Sequence, residues 1–154
     1  MGIEVLIEDE RWVAADLPAL ATCASDAALR GAGLTPEAWE ISVLACDDAR
    51  LATLNTEFRG RPAPTNVLSW PSAERSTPPD TGAAPELGDI AISYDTCARE
   101  AAAAGLNLDM HVLHLLVHGT LHLLGYDHET DADAAVMEGL ETQILATLGV
   151  ADPY

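Results

Sequence analysis

Apolar and polar residues alternate at the start of the chain: Ile3, Val5 and Ile7 fall on one side of IEVLIED (3–9), the period of a half-buried strand. Over residues 16–31, DLPALATCASDAALRG, the spacing becomes helical, with Asp16 at the N-cap, Pro18 in the first turn and Gly31 or Gly33 at the close. WEISVLAC (39–46) reads as strand again, and Asp47 then caps a helix to about Phe58 whose apolar side holds Leu51 and Leu54. NVLSW (66–70), bounded by Pro64 and Pro71, is a short strand, and LGDIAIS (87–93) another. Between them, PSAERSTPPDTGAAPE (71–86) is too rich in Pro, Ser, Thr and Gly for a regular element; a loop this long in a compact domain is usually functional or mobile. Three helices follow: Asp95 to about Ala104, stopped by Gly105; a strongly apolar one over Asp109–Leu124, stopped by Gly125; and an amphipathic one over Asp131–Leu148, ended near Gly149. The order β-α-β-α-β-β-α-α-α predicts an α+β fold, a small mixed β-sheet packed on helices. The two strands around the long loop are candidates for neighbours, with the direction of their pairing open.

At 154 residues the chain is expected to be a single domain, residues 1–154, able to bury a core without staples. The start, MGIEVLIEDERW, shows neither a secretory signal nor a myristoylation pattern, and no apolar run reaches the ~20 residues of a membrane helix, so no membrane partner is expected. Charge changes the picture more. There are 7 basic residues, all arginine, against 25 acidic ones, a net charge of −18. Such a field excludes charge-driven, non-specific nucleic-acid binding and leaves room only for a small local basic site. Cys23, Cys46 and Cys97 are odd in number, widely spaced and free of any CxxC, which predicts buried or semi-buried thiols in a reducing compartment.

The chemistry gathers in the most apolar helix. All 5 histidines fall in HVLHLLVHGTLHLLGYDH (111–128). His111, His114, His118 and His122 recur every three or four residues and form one stripe on a helix, while leucines and valines fill the other faces. Buried imidazoles need partners, and a metal ion is the common partner of clustered ones. His118 and His122, one turn apart, can converge on one ion, and a left-handed turn at Gly125 brings His128 to the third position: H-x3-H-x2-G-x2-H. Three imidazoles without cysteine are the ligand count of a catalytic zinc site, with a position left for water. Asp127 and Glu129, beside His128, orient a ring, stay solvated or add a fourth ligand. His114 is expected to support a ligand or sit hydrogen-bonded in the core, and His111 to be partly exposed.

The same spacing occurs in metzincin proteases, HExxHxxGxxH, but the general-base glutamate is replaced here by Gly119, which cannot carry a proton. Gly in mid-helix costs up to about 1 kcal/mol relative to Ala; close approach of a substrate or of a packed helix would each explain it. Arg59 and Arg61 are the only closely spaced basic pair, and a guanidinium fork suits phosphate. Thr65 and Asn66 either supply hydrogen bonds to substrate or cap the following strand. Asp89, in an apolar strand after Gly88, is a candidate partner for Arg59 or for a metal-bound histidine.

Three blocks, LNTEFRGRPAPTNVLSWP (54–71), LGDIAIS (87–93) and HLLVHGTLHLLGYDH (114–128), together about a quarter of the chain, resemble the YbeY family of bacterial metal-dependent endoribonucleases of ribosomal RNA maturation. Trp70 departs from the family's Phe. The resemblance implies a zincin-like metallohydrolase fold, one Zn2+ per chain on His118, His122 and His128, and a catalytic Arg59. The expected activity is single-strand-specific cleavage in 16S rRNA 3′-end maturation, rRNA processing and ribosome quality control. Arg59, Arg61, Thr65 and Asn66 would bind substrate, with His114, Asp89 and Asp127 supporting the ligands. The expected partners are single-stranded ribosomal RNA, the small ribosomal subunit and its assembly factors, without DNA or membrane, in the cytoplasm. A glutamate at 119 is expected to lie on the approach of the scissile phosphate. The competing readings are a zinc-dependent peptidase or amidase on the same scaffold and a non-catalytic assembly factor whose metal only holds the fold.

Overall fold

The computed structural model describes residues 2–59, 65–71, 86–126 and 129–150. Strands β1 (Gly2–Ile7), β2 (Glu40–Cys46), β3 (Val67–Pro71) and β4 (Glu86–Ser93) form one sheet in the order β1-β2-β4-β3. β1, β2 and β4 are parallel; β3 runs antiparallel along the outer side of β4, with Val67 opposite Ile92 and Trp70 opposite Asp89. The strands around the long Pro-rich stretch are thus neighbours and antiparallel. Residues 72–85 of that stretch lie outside the described residues.

The helices are α1 (Arg11–Ala14), α2 (Leu17–Gly31), α3 (Asp48–Arg59), α4 (Tyr94–Ala104), α5 (Leu108–Leu123) and α6 (Asp131–Thr147). Strand alternation assigns them to two faces. Ile3, Val5, Ile41, Val43, Ile90 and Ile92 join Leu29, Leu116, Leu121, Met137 and Leu145 in a large core under α2, α5 and α6. The other face carries a smaller cluster, Cys46, Leu51, Leu54, Leu68 and Ala91, under α3. Between Glu40 and Ile41 the β2–β4 register slips, leaving Leu87 as the extra residue of a bulge. Past it Gly88 turns toward α5: a Cβ there would meet Leu123 Cδ2 at 2.7 Å and the Trp70 carbonyl oxygen at 2.3 Å, so only glycine fits.

The predicted elements are present, with ends shifted by a residue or two. Among the described residues two short pieces were not legible, the 3-10 turn Pro36–Ala38 and α1. α1 is a single turn whose Trp12 is fully buried, donating its indole N–H to the Cys46 carbonyl at 3.0 Å and meeting Tyr94 edge-on at 5.1 Å. Asp47 caps α3 as expected, its Oδ1 accepting from the Arg50 N–H at 2.9 Å. Asp16 stands at the N-cap of α2 but in the left-handed region (φ 53°), and its side chain makes no capping bond; it turns the chain between α1 and α2 instead. Cys46 and Cys97 are buried, and burial pushes the Cys46 thiol up to about 12. Cys23 is a correction: it is exposed, on the outer side of α2. Among the described residues no helix is long and apolar enough to cross a membrane.

Candidate metal centre

The centre is built on α5. Val112, Leu115, Leu116, Val117, Gly119, Thr120, Leu121 and Leu123 are buried, so the helix is held on most of its circumference. His111, His114, His118 and His122 form the remaining seam, partly buried. The helix ends as its sequence requires: Gly125 has φ 101°, its N–H donates to the His122 carbonyl, and the Tyr126 N–H reaches back to Leu121.

Along the seam the side chains divide into two groups. In the C-terminal group, Nε2 of His118 and Nε2 of His122 lie 3.0 Å apart, with ring centroids at 4.5 Å and planes at 84°. Behind His118, Nδ1 is in close hydrogen-bond contact with Oε1 of Glu141, which is fully buried. The other oxygen of Glu141 lies 3.5 Å from His114 Nε2. A carboxylate only accepts, so the His118 Nδ1–H donates and its Nε2 lone pair faces His122. Two nitrogens on one tetrahedral zinc-like ion are about 3.3 Å apart, close to the spacing already present, so the pair fits a cation. In the N-terminal group, His111 Nε2–H donates to Glu100 Oε1 at 2.9 Å, and the same oxygen accepts from Asn66 Nδ2 at 3.0 Å.

Glu141 escaped the sequence reading. Its signal was its place in the apolar stripe of α6, among Met137, Ile144 and Leu145. A glutamate there must find a polar partner across the helix interface.

His118, His122 and His114 are brought together. Asp89 is not. Because Gly88 and Ile90 face α5, alternation turns Asp89 to the opposite side of the sheet. There it lines an open groove of about 460 Å³ with Glu4, Leu6, Leu44, Arg50 and Trp70, and partial burial raises its carboxyl. Holding a ring of the seam falls to Glu141, since the sheet separates Asp89 from it. Asn66 spends its side chain within the fold: Nδ2 on Glu100, and Oδ1 accepting the Val67 N–H at 2.7 Å, the strand cap of the two alternatives. Thr65, partly buried, directly precedes it. Gly119 packs against the sheet, where a Cβ would lie 3.3 Å from Ile90 Cδ1. The close approach is therefore that of a strand, neither the substrate nor the helix expected, and the expectation that position 119 borders a phosphate path is corrected. His128, Asp127 and Arg61 lie outside the described residues; Arg59 is the last residue of α3, and its side chain is likewise outside them.

The described residues thus form a four-stranded α+β fold that carries an imidazole pair backed by a buried carboxylate on one helix. A family model described as Endoribonuclease YbeY matches residues 6–149. The Endoribonuclease YbeY of Dinoroseobacter shibae is 61% identical over 99% of this chain and 90% of its own length, and that of Jannaschia sp. is 57% identical over the whole of both. The chain belongs to the endoribonuclease YbeY family. The solution structure of TM1509 from Thermotoga maritima matches at a TM-score of 0.58 and 21% identity, over 98% of this chain and 97% of that one, a likeness of fold.

Proposed function

We propose that this member of the endoribonuclease YbeY family cuts single-stranded ribosomal RNA, in maturation of the 16S rRNA 3′ end and ribosome quality control, with one Zn2+ held by His118, His122 and His128. It would act in the cytoplasm on the small ribosomal subunit and alongside its assembly factors, and not on DNA. The observation that carries the metal reading is the 3.0 Å approach of the His118 and His122 Nε2 atoms with a buried carboxylate behind one of them. Such a cation supplies Lewis-acid polarisation of a phosphoryl oxygen and lowers the pKa of a water. This chain's own part is to hold it: α5 sets the two rings one turn apart, and Glu141 fixes the orientation of His118. Arg59 would meet the charge gathering on the phosphorus centre, Arg61 and Thr65 would bind the RNA backbone, and Asp127 would orient His128.

The peptidase reading loses its support at Gly119, which carries no proton and faces Ile90. The structural-metal reading fits poorly with a chain that already buries a large core on one face of its sheet. The test is cleavage of single-stranded against duplex RNA by wild type and His122→Ala, together with elemental analysis. Cleavage confined to single strands, with about one zinc in the wild type and none in the variant, is the expected result. Equal cleavage by the variant would end the reading.

A further inference from the structure

The carboxylate of Glu141 reaches two histidines of α5 at once, Oε1 to His118 Nδ1 and Oε2 toward His114 Nε2. It does so from a different helix, α6, with no exposed surface of its own. We infer that Glu141 is the positioning residue of the centre: it assigns His118 the Nδ1–H tautomer and takes His114 out of the ligand set. The inference rests on the cation reading above only for its second half.

The first half follows from proton accounting. A neutral imidazole has one N–H and one lone pair, and which nitrogen carries the proton is set by the partner of the other. With Nδ1–H given to the Glu141 carboxylate, Nε2 carries no proton and accepts the His122 Nε2–H at 3.0 Å. Without Glu141, the ring would populate both tautomers, and in the one protonated at Nε2 that nitrogen could neither accept from His122 nor be offered to a cation. The same carboxylate also removes the ring's freedom to rotate. His114 has the opposite geometry. Its Nε2, the nitrogen that in His118 and His122 faces a neighbouring ring, is directed at Glu141 instead, and its centroid lies 6.3 Å from that of His118, against 4.5 Å for the His118–His122 pair. The four-residue spacing is the same for both pairs; the partner helix separates their roles.

The tautomer can be read in metal-free protein, so the two halves fail separately. Long-range proton–nitrogen correlation spectra of the apo wild type should show His118 protonated at Nδ1 and bare at Nε2. Glu141→Gln keeps an acceptor of the same shape and should retain that pattern. Glu141→Met removes it and should mix the tautomers, and is expected to weaken Zn2+ binding, measured against a chromophoric chelator, by about 10–100-fold, the usual range for loss of a ligand's supporting partner. Glu141→Gln should recover part of that loss. His114→Gln should weaken Zn2+ by no more than about fivefold, well short of that range. An Nε2–H signature for His118 in the apo wild type, or wild-type affinity in Glu141→Met, would overturn the assignment. A His114→Gln protein as poor in zinc as His118→Ala would make His114 a ligand and overturn the second half. Wild type that takes up no zinc while His118 keeps its Nδ1 proton would sink the cation reading and leave the tautomer assignment upheld.

Discussion

At the N-terminal end of α5, His111 gives its Nε2–H to Glu100, a residue of α4 that also receives the amide of Asn66. Two turns further on, His118 gives its Nδ1–H to Glu141, which is sealed inside the molecule. Both contacts are histidine–glutamate pairs on one seam of one helix, and the ring nitrogen used decides what each can do. His111 spends the nitrogen farthest from its backbone and thereby ties α5 to α4 and to the start of β3. His118 spends the nearer one, and its far one meets Nε2 of His122 at 3.0 Å. One stripe of identical residues thus becomes a brace at one end and a candidate centre at the other. The difference is made entirely by the helices that supply the carboxylates.

The strongest way to break this comparison is to remove rings from its two ends. His118→Ala and His122→Ala should each lose the bound metal and RNA cleavage, while His111→Ala keeps both; elemental analysis beside a cleavage assay reads this directly. All three should remain folded, and the wild type should keep its circular dichroism after chelation, because the large core lies on elements that do not need the ion. Unfolding on chelation would instead revive the structural role for the metal. Loss of metal in His111→Ala would abolish the division of the seam.

The next largest effect sharpens the comparison by probing the side of α5 turned to the sheet. Gly119→Glu drives a carboxylate into the contact with Ile90. We expect a loss of roughly 3–5 kcal/mol in urea unfolding, the range of an uncompensated buried charge, and no peptidase activity. Gly119→Ala should stay within about 1 kcal/mol of wild type, helix propensity gained against a contact that Ile90 must ease by rotating. A stable Gly119→Glu protein that fails only in RNA cleavage would return position 119 to the substrate path.

A third carboxylate setting offers a milder contrast, read by pH. Hydrogen bonding to Arg11 is the main cause holding Asp9 and Asp95 below the usual carboxylate range. For Asp48, burial pushes up, but Ser93, Thr96 and Arg99 together outweigh it and the net is again downward. Groups whose pKa is lower folded than unfolded stabilise the protein above the unfolded value, and that stability drains away as pH falls through the folded one. Urea midpoints should therefore hold down to about pH 4 and decline below it, with a shallower decline in Arg11→Ala. A decline of the same steepness in that variant would remove Arg11 from the account.

The smallest expected effect is at the brace. Glu100→Ala deletes the acceptor shared by His111 and Asn66 on a partly exposed side chain, and should cost about 1 kcal/mol, the net worth of such bonds, with metal content unchanged. A larger loss, or loss of metal, would mean that the two ends of the seam are coupled.

Most of this architecture was readable from local pattern. Alternation marked β1, strand-like apolar runs marked β2 and β4, glycines marked the ends of α4, α5 and α6, and the histidine stripe stood out because polar residues rarely recur at helical spacing inside an apolar run. What was not legible depends on contacts between distant segments. The direction of β3 follows from its pairing with β4, which no local period encodes. The histidine alternative for Asp89 fails because a single bulged residue, Leu87, sets which way β4 alternates. α1 is too short to show a period, and its reason for existing is the seat of Trp12 beneath the Cys46 carbonyl. Glu141 looked like one acidic residue among many until α6 was laid against α5.

The sheet order also bears on time. In the two parallel pairs, Gly2 meets Glu40 and Ser42 meets Asp89, so each waits for dozens of intervening residues to be gathered, whereas β3 pairs with its successor in sequence. Ordering distant segments spends chain entropy before any contact rewards it, and domains of this kind fold over milliseconds to seconds, not microseconds. The imidazole pair is drawn from one helix, but its carboxylate backing arrives only when α6 docks. The seam and its backing are therefore completed by the same long-range packing that forms the large core, in which Met137, Ile144 and Leu145 of α6 take part.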